Sequence, residues 1–521
     1  MDAGPPKLCL RLAETVMNLD QRLDLFDHLV VLMLENRSFD SLFGYLYERA
    51  EPRHFIPDKD RAFRGVAGRD NLVNNDGREP PREYRVQKAP WERLEDMYAP
   101  YPNAGEFYRP NINRQVYGTD SVSGDIDKLP TRNLMCGFVQ DYIRAVEEAK
   151  SWDGKVEATP EVIQQIMNCF PPAAVPVLST LARSFAISDA WFSSVPSSTW
   201  PNRSFAHSGT SRGRVVNKPA SEWALHHDQP TIFERLFEKL GKVAWRVYGE
   251  ETHLASLTWL LHEPLRHHEF RDCFRRFKHF KSDCAEGTLP AYSFLEPRSL
   301  VNPNDMHPPF WLHPHVASSI LAGEELVQEV YNAVRHGRSW NRTLLVITFD
   351  EHGGLYDHVV PPCNATPPDD PPVAGDEGFR FDRFGLRVPT IFVSPYIEEG
   401  TVVRASGRVP FDHTSIIKTL CERWELEGLT ARDRAAPSFA SVLTRSANQP
   451  RLDTPDVTAR PYERLPEPKA HQGPLSHLGH QVVELSSAVM GEAAPIVRTA
   501  GEAVEHLFKH QRASSNAPSE S

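Results

Sequence analysis

A strand that ends in a cluster of acids and histidines is the feature that most constrains this chain. The apolar residues 344–347 lead into the segment TFDEHGGLYDHVVPP, residues 348–362. This order predicts a buried strand that opens into a glycine-bent loop. Carboxylates at the carboxyl end of such a strand suit a site for a hard metal ion. A solvated acidic turn beside a core strand is a serious alternative for this segment alone.

A second segment of the same kind weakens that alternative. Residues 27–34 form another nearly continuous apolar run, and the acidic and polar segment ENRSFD follows at residues 35–40. Two strands that each end in carboxylates and amides predict a site shared between two strand ends.

Together these segments resemble the phosphoesterase family that contains bacterial phospholipases C, plant non-specific phospholipases C and certain acid phosphatases. The family's ENRSFD, T-x-P-N-R and DEHGGxYDHVxPP boxes correspond to residues 35–40, 199–203 and 350–362. Further matches follow in order along the chain, at residues 185–192, 207–211, 292–298, 385–389, 394–396 and 412–415. The resemblance implies an α/β fold with a three-layer α/β/α core like that of alkaline phosphatase, large loop or cap insertions and a C-terminal helical appendage.

The two strand ends supply four candidate metal ligands, Glu35, Asn36, Asp350 and Glu351. Four oxygen donors without a thiolate suit Ca²⁺, Mg²⁺ or Mn²⁺. The family's metal site maps onto the same four positions. For each acid taken alone, a helix cap or a surface ion pair is the alternative interpretation.

The resemblance makes Thr199 the nucleophile. A metal ion that coordinates its hydroxyl would lower the pKa and make attack on phosphorus possible. Because Pro201 follows two residues later, we expect no simple continuation of a regular helix there. Without the surrounding pattern, Thr199 would be read as a capping hydroxyl in a turn. Asn202 and Arg203 are predicted to contact phosphate, although Arg203 fits a structural ion pair equally well.

The departing alcohol needs a proton, and histidine is the natural donor near neutral pH. The family carries two histidines in an N-D-x-H-P segment, of which His307 is the first here. The step to the second is longer than usual, and we prefer His315 to His313. Asp357 and His358 are predicted to support the carboxylate loop from behind the metal ligands.

These assignments predict a metal-dependent double displacement with a phospho-threonine intermediate. The expected substrate is a phosphodiester, most naturally a glycerophospholipid cleaved to diacylglycerol and a phosphorylated headgroup. A phosphomonoesterase of acid-phosphatase type and a catalytically silent phosphate-binding relative are the alternatives. A diester substrate needs apolar surface for its second ester group, which Trp200, Phe205, Phe310 and Trp311 could supply.

Composition narrows the partners and the compartment. The formal net charge of −11 predicts no nucleic-acid binding and at most peripheral contact with a membrane. No apolar stretch approaches the roughly 20 residues that a membrane span needs. The first 22 residues do not have the pattern of a signal peptide, and the seven cysteines are odd in number. We therefore expect a cytoplasmic, reduced protein, with secretion by another route as the alternative. The oligomeric state is left open.

The composition along the sequence predicts four segments of unequal length. We expect a catalytic domain over residues 1–447 with a cap or rim at 45–130, a Pro-rich linker at 448–474, a helical appendage at 475–510 and a disordered tail at 511–521. Strands are predicted at 28–34, 243–248, 343–349 and 389–394, and helices at 229–240, 317–336 and 414–425. The appendage carries four Glu against one Arg and one Lys, which favours packing on its own domain over binding to anionic lipid or a partner.

Overall fold

The fold is built on one large mixed sheet. The computed structural model describes residues 17–69, 71–151, 154, 156–249, 253–309, 319–461, 464, 466–473 and 475–515. The strands in this part of the chain are β1 (His28–Leu34), β2 (His54–Ile56), β3 (Val73–Asn75), β4 (Glu83–Arg85), β5 (Gln87–Lys88), β6 (Asn168–Cys169), β7 (Ala186–Ser188), β8 (Trp245–Gly249), β9 (Phe274–Arg276), β10 (Tyr292–Leu295), β11 (Thr343–Phe349), β12 (Thr390–Val393) and β13 (Thr401–Val403).

Within the described ranges, nine of these strands form the main sheet, in the order β2-β13-β7-β12-β11-β1-β10-β8-β9. Strand β12 runs antiparallel to both of its neighbours, and the other paired strands of this sheet are parallel. Side chains of β11 and β12 are buried along their whole length, so both faces of the sheet centre are covered.

Two groups of helices cover the sheet. The α-helices of the described residues are α1 (Leu19–Leu23), α2 (Phe39–Phe43), α3 (Asn113–Tyr117), α4 (Phe138–Lys150), α5 (Pro160–Gln164), α6 (Pro176–Ser184), α7 (Thr199–Ser208), α8 (Ala220–His226), α9 (Ile232–Leu240), α10 (Leu257–Leu261), α11 (Phe277–Glu286), α12 (Ile320–Arg335), α13 (Thr414–Trp424), α14 (Ala431–Ala435), α15 (Glu467–Gln472), α16 (His477–Val489) and α17 (Ala500–Ser515). Helices α6, α11 and α12 pack together, as do α7, α9 and α13. With the sheet between them, the two groups give the α/β/α layers that the resemblance implied.

Part of the predicted cap, residues 45–130, shares a small core with residues 135–167, which lie beyond its predicted end. Between residues 84 and 167, buried apolar side chains pack together with Leu355 and Tyr356 of the glycine-bent loop. This region therefore lies directly on the loop that carries the candidate metal ligands. Strand β2, which we had placed in the cap, instead joins the edge of the main sheet.

The C-terminal appendage packs on the catalytic domain. Leu475, Leu478 and Val482 share an apolar cluster with Trp200 and Trp223. The cluster agrees with the interpretation that we favoured over a partner-binding or lipid-binding hairpin. Helix α17 continues to Ser515, five residues into the stretch that we expected to be disordered, and residues 516–521 lie outside the described ranges.

The long strands and helices agree with those predicted from the sequence. Each of the four predicted strands and three predicted helices is present, with boundaries that differ by up to three residues. In the part of the chain that the structure describes, no helix combines the length and the apolar character needed to cross a bilayer.

Candidate active site

Strand register brings the two acidic segments together. Leu34 of β1 pairs with Phe349 of β11, so the chain leaves both strands at the same level. The backbone N–H of Asp350 donates to the carbonyl of Leu34 at 3.1 Å, and that of Asn36 donates to Asp350 Oδ1 at 3.0 Å. Two segments more than 300 residues apart in sequence thus form one site at the carboxyl end of the sheet.

The glycine-bent loop then turns Glu351 back toward these groups. Its carboxylate accepts a hydrogen bond from Gly353 N at 2.7 Å and lies 3.1 Å from His352 Nδ1. Gly353 has φ +65°, and a Cβ there would sit 2.4 Å from the carbonyl oxygen of Asn36. The glycine is therefore required both for the turn and for the close approach of the two ligand-bearing loops.

Thr199 begins helix α7, with Ser198 as its N-cap residue. Its hydroxyl donates to Glu35 Oε2 at 3.1 Å, so the predicted nucleophile does lie beside a predicted metal ligand. The expectation that Pro201 interrupts the helix was wrong. Pro201 lies in the first turn, where its missing N–H removes no helical hydrogen bond, and the helix continues to Ser208.

Asn202 holds the loop that precedes Thr199. Its Oδ1 accepts from Val195 N at 3.0 Å, and its Nδ2 lies within hydrogen-bond distance of the carbonyls of Val195, Ser197 and Ser198 at 3.2, 2.8 and 3.1 Å. The side chain is fully buried in these contacts. They favour a structural role over the phosphate contact that we predicted.

Arg203 lies one helical turn beyond the nucleophile and is ion-paired. Its Nε donates to Glu35 Oε1 at 3.0 Å, and the same nitrogen is 3.7 Å from Asp350 Oδ2. Burial alone would lower the pKa of Arg203, but the charges of Glu35 and Asp350 outweigh burial and raise it. The structural ion pair, which was one of the two interpretations of Arg203, is thus present, and its contact with phosphate stays a prediction.

The site holds more negative than positive charge. Glu35, Asp350, Glu351 and Glu106 are all buried, and Arg203 is ion-paired with the first two of them. Burial and the nearby charge of Asp350 raise the pKa of both Glu35 and Glu351 well above the ordinary value. Carboxylates held this way need either protons or a cation.

Unsatisfied oxygens in the site fit a cation. Asn36 Oδ1, Asp350 Oδ2 and Glu351 Oε1 are buried without a hydrogen-bond partner among the described residues. Each buried polar atom that is left without a hydrogen bond costs about 1–3 kcal/mol. A divalent ion with oxygen ligands would satisfy all three, so the residues present fit the predicted metal.

Asp357 and His358 belong to a separate buried network that ties the two acidic segments together. Arg387 donates to Asp357 and to Asp40, and Asp40 Oδ2 lies 2.6 Å from His358 Nδ1. Burial alone would raise the pKa of Asp40, but Arg387 and His358 lower it, whereas burial raises that of Asp357. Because Arg387 supplies the positive charge, these three groups have no need of a metal ion.

His307 lies near the carboxyl end of β1, beside the segment that carries Glu35 and Asn36. The segment that carries it is held against β1, since Glu35 N donates to Asp305 O at 2.8 Å and Arg37 Nε to Met306 O at 2.8 Å. Burial and the neighbouring His477 lower the pKa of His307 well below its ordinary value. His315 and His313 lie outside the described residues.

Two groups around His307 were missed by the sequence analysis. Glu106 comes from the predicted cap, and its Oε2 accepts from Asn36 Nδ2 at 2.6 Å. His477 comes from the appendage, and its Nδ1 is 3.0 Å from His307 Nε2. Neither lies in a motif, and only the folding of the cap and the appendage over the sheet brings them here.

Two of the four aromatic side chains that could supply an apolar rim, Trp200 and Phe205, do not supply one. Trp200 packs edge-on against Trp223, Phe205 stacks on Phe381, and both Trp200 and Phe205 are fully buried in the core. Phe310 and Trp311 lie outside the described residues. These side chains therefore do not decide between a diester and a monoester substrate.

Known proteins that are similar in sequence to this chain include phospholipases C. The chain is 34% identical to non-specific phospholipase C5 of Arabidopsis thaliana, over 89% of this chain and 82% of that protein. It is 26% identical to phospholipase C B of Mycobacterium tuberculosis, over 85% and 82% of the two chains. A solved protein in the alkaline phosphatase superfamily from Vibrio parahaemolyticus is 12% identical over 64% of this chain and 81% of that one, with a TM-score of 0.31.

A model described as the phosphoesterase family matches residues 26–427, which include both acidic segments and the Thr199 box. This match covers most of the chain, and the candidate ligands Glu35, Asn36, Asp350 and Glu351 all lie within it. The chain therefore belongs to the phosphoesterase family and is a hydrolase of phosphoric esters.

Proposed function

We propose that this protein is a metal-dependent phospholipase C that cleaves a glycerophospholipid on the glycerol side of its phosphate. The observation that carries the proposal is the position of the Thr199 hydroxyl, 3.1 Å from Glu35 at the N-terminus of helix α7 and beside the carboxylates of two strand ends. The names of the plant and mycobacterial relatives support the substrate class.

Glu35, Asn36, Asp350 and Glu351 would hold the divalent ion, with Arg203 completing the neutralisation of the carboxylates. When bound, the ion would supply the positive charge that phosphoryl transfer requires. The chain itself positions the nucleophile, because Asn202 fixes the loop before Thr199.

The proposed reaction has two displacements. Thr199 Oγ1 gives up its proton and attacks phosphorus, the bond from phosphorus to the glycerol oxygen breaks, and that oxygen takes up one proton as diacylglycerol leaves, so the step neither gains nor loses a proton overall. Water then attacks the phospho-threonine, which regenerates the Thr199 hydroxyl and releases the phosphorylated headgroup. The proton that Thr199 must lose is the one that it donates to Glu35 in this structure.

His307 stays the predicted proton donor to the departing glycerol oxygen. It is buried at the ligand side of β1, beside Glu106, which contacts Asn36. The predicted assistance of His315 stays a prediction, because that residue lies outside the described ranges.

The test is an assay of the purified full-length protein on phosphatidylcholine vesicles and on a soluble phosphomonoester, each with and without a chelator. We expect diacylglycerol and phosphocholine from the vesicles, loss of that activity with chelator, and its return when divalent ion is added back. Turnover of the monoester alone would replace the proposal with a phosphatase activity, and no turnover of either substrate would favour a silent phosphate-binding relative.

A further inference from the structure

Three parts of the chain that are distant in sequence place a metal-binding set of donors at one point. Glu106 comes from the cap, His307 from the segment after β10, and His477 from the first residue of helix α16 in the appendage. One ligand atom from each of them lies within 4.8 Å of the other two. Glu106 and His307 are almost completely buried, and His477 is half-buried.

The separations between the donor atoms are close to those of ligands that share one ion. His307 Nε2 lies 3.0 Å from His477 Nδ1 and 3.9 Å from Glu106 Oε2. A tetrahedral ion with bonds of about 2.0–2.1 Å places its ligand atoms about 3.3–3.4 Å apart. The observed distances lie on either side of that value, so a small adjustment of the side chains would complete the set.

The surroundings of His307 and Glu106 also match those of metal ligands. The other ring nitrogen of His307, Nδ1, faces the carbonyl of Pro308 at 2.5 Å, which orients the ring with the Nε2 lone pair toward His477 and Glu106. Metal-binding histidines usually donate their second ring N–H in this way. Glu106 is held at Oε2 by Asn36, while its Oε1 is buried without a hydrogen-bond partner among the described residues.

We propose that Glu106, His307 and His477 form a second metal site, distinct from the oxygen-rich site of Glu35, Asn36, Asp350 and Glu351. Two imidazoles and one carboxylate form a donor set that catalytic zinc sites use, with water or substrate as the fourth ligand. Imidazole ligands favour zinc or another divalent transition metal, whereas the first site, with oxygen ligands only, suits a harder ion. The two sites are joined by the hydrogen bond from Asn36 to Glu106.

The second site gives the appendage a chemical role. Helix α16 shares an apolar cluster with Trp200 and Trp223 of the catalytic domain, and it carries His477 beside His307. If the proposed phospholipase reaction is correct, on which this role rests, an ion held by His307 would stabilise the departing glycerol oxygen, and no proton on His307 is required.

The experiment is a count of bound zinc with identification of its ligands. Full-length protein is stripped with chelator, reconstituted with zinc, and measured by elemental mass spectrometry and zinc X-ray absorption. We expect two ions per chain and scattering from imidazole rings. His477→Ala should bind one ion and lose most of the imidazole scattering, whereas Glu35→Ala should lose the other ion and keep that scattering.

His480→Ala is the matched control, because His480 lies on the same helix and is not one of the three donors. It should bind two ions like the wild type. If His477→Ala does not fold, Glu106→Gln keeps the size of the side chain and should weaken the second ion at least about tenfold.

The proposal is overturned if the wild type shows no imidazole scattering, or if His477→Ala retains it in full. The first result would leave a direct hydrogen bond between the two imidazoles as the account of their contact. Failure of the phospholipase proposal is separate, since it would appear as two bound ions in a protein that does not hydrolyse phosphatidylcholine.

Discussion

Replacement of Asn202 by Ala distinguishes a loop-holding side chain from a phosphate contact. The substitution removes the acceptor of Val195 N–H and the donor to the carbonyls of Val195, Ser197 and Ser198, all of which are buried. Each buried polar group that loses its partner costs about 1–3 kcal/mol. Because one amide group serves the three carbonyls with only two hydrogens, we expect a total loss of about 3–5 kcal/mol in the free energy of unfolding.

The loop also sets the position of Thr199, so turnover should fall further than stability alone explains. A misplacement of about 1 Å at a reacting atom can cost about 100-fold in rate. We therefore expect kcat of Asn202→Ala to fall by about that factor under conditions where the variant is folded.

The assays are denaturant unfolding followed by circular dichroism and steady-state turnover of phosphatidylcholine. Asn448→Ala, at an exposed asparagine, is the control and should change the free energy of unfolding by less than about 0.5 kcal/mol. The loop-holding role is refuted if Asn202→Ala unfolds like the wild type and only its KM rises, since that is the pattern of a lost phosphate contact.

Three further predictions concern the carboxylates and the loops that hold them. Glu35→Ala and Asp350→Ala should each lower the affinity for the first metal ion by at least about tenfold, measured by titration calorimetry. Affinity equal to that of the wild type in both variants would contradict a shared site. Asp40→Asn should destabilise the protein by about 3–5 kcal/mol at pH 7, because it leaves Arg387 with less of its buried countercharge. Folding lowers the pKa of Asp40, so the stability difference between wild type and Asp40→Asn should be present above about pH 4 and disappear as the pH falls through the folded pKa. Unfolding curves measured at a series of pH values test this. A stability difference that grows in acid would contradict the pairing. Gly353→Ala should weaken metal binding without removing any ligand, because its Cβ would displace the carbonyl of Asn36, and unchanged affinity would show that the approach of the two loops is not needed.

What the sequence predicted well follows from local patterns. The apolar runs that became β1 and β11 are buried in parallel pairing, and that pairing alone is enough to place Glu35 beside Asp350. The resemblance added Thr199, which no periodicity could single out among the hydroxyl residues of its segment. The structure then placed its hydroxyl next to Glu35.

What the sequence missed depends on contacts between distant segments. Glu106 is one acid in a region without periodicity, and His477 follows a serine at the start of an ordinary amphipathic helix. Their approach to His307 is set by how the cap and the appendage pack, which residue spacing does not encode. Asn202 was predicted to contact phosphate, but its partners are the backbone groups of the loop before Thr199. For Arg203, the ion pair with two carboxylates was one of the two predicted interpretations.

The most direct test of the proposed chemistry is the behaviour of Thr199. Wild-type enzyme quenched in acid during turnover should carry one added phosphoryl group on Thr199, detected by peptide mass spectrometry. Thr199→Ser should retain measurable activity, whereas Thr199→Ala should lose at least about 1000-fold in kcat with its fold and metal content intact. Turnover by Thr199→Ala near the wild-type rate, with no phosphorylated peptide from the wild type, would contradict the covalent mechanism.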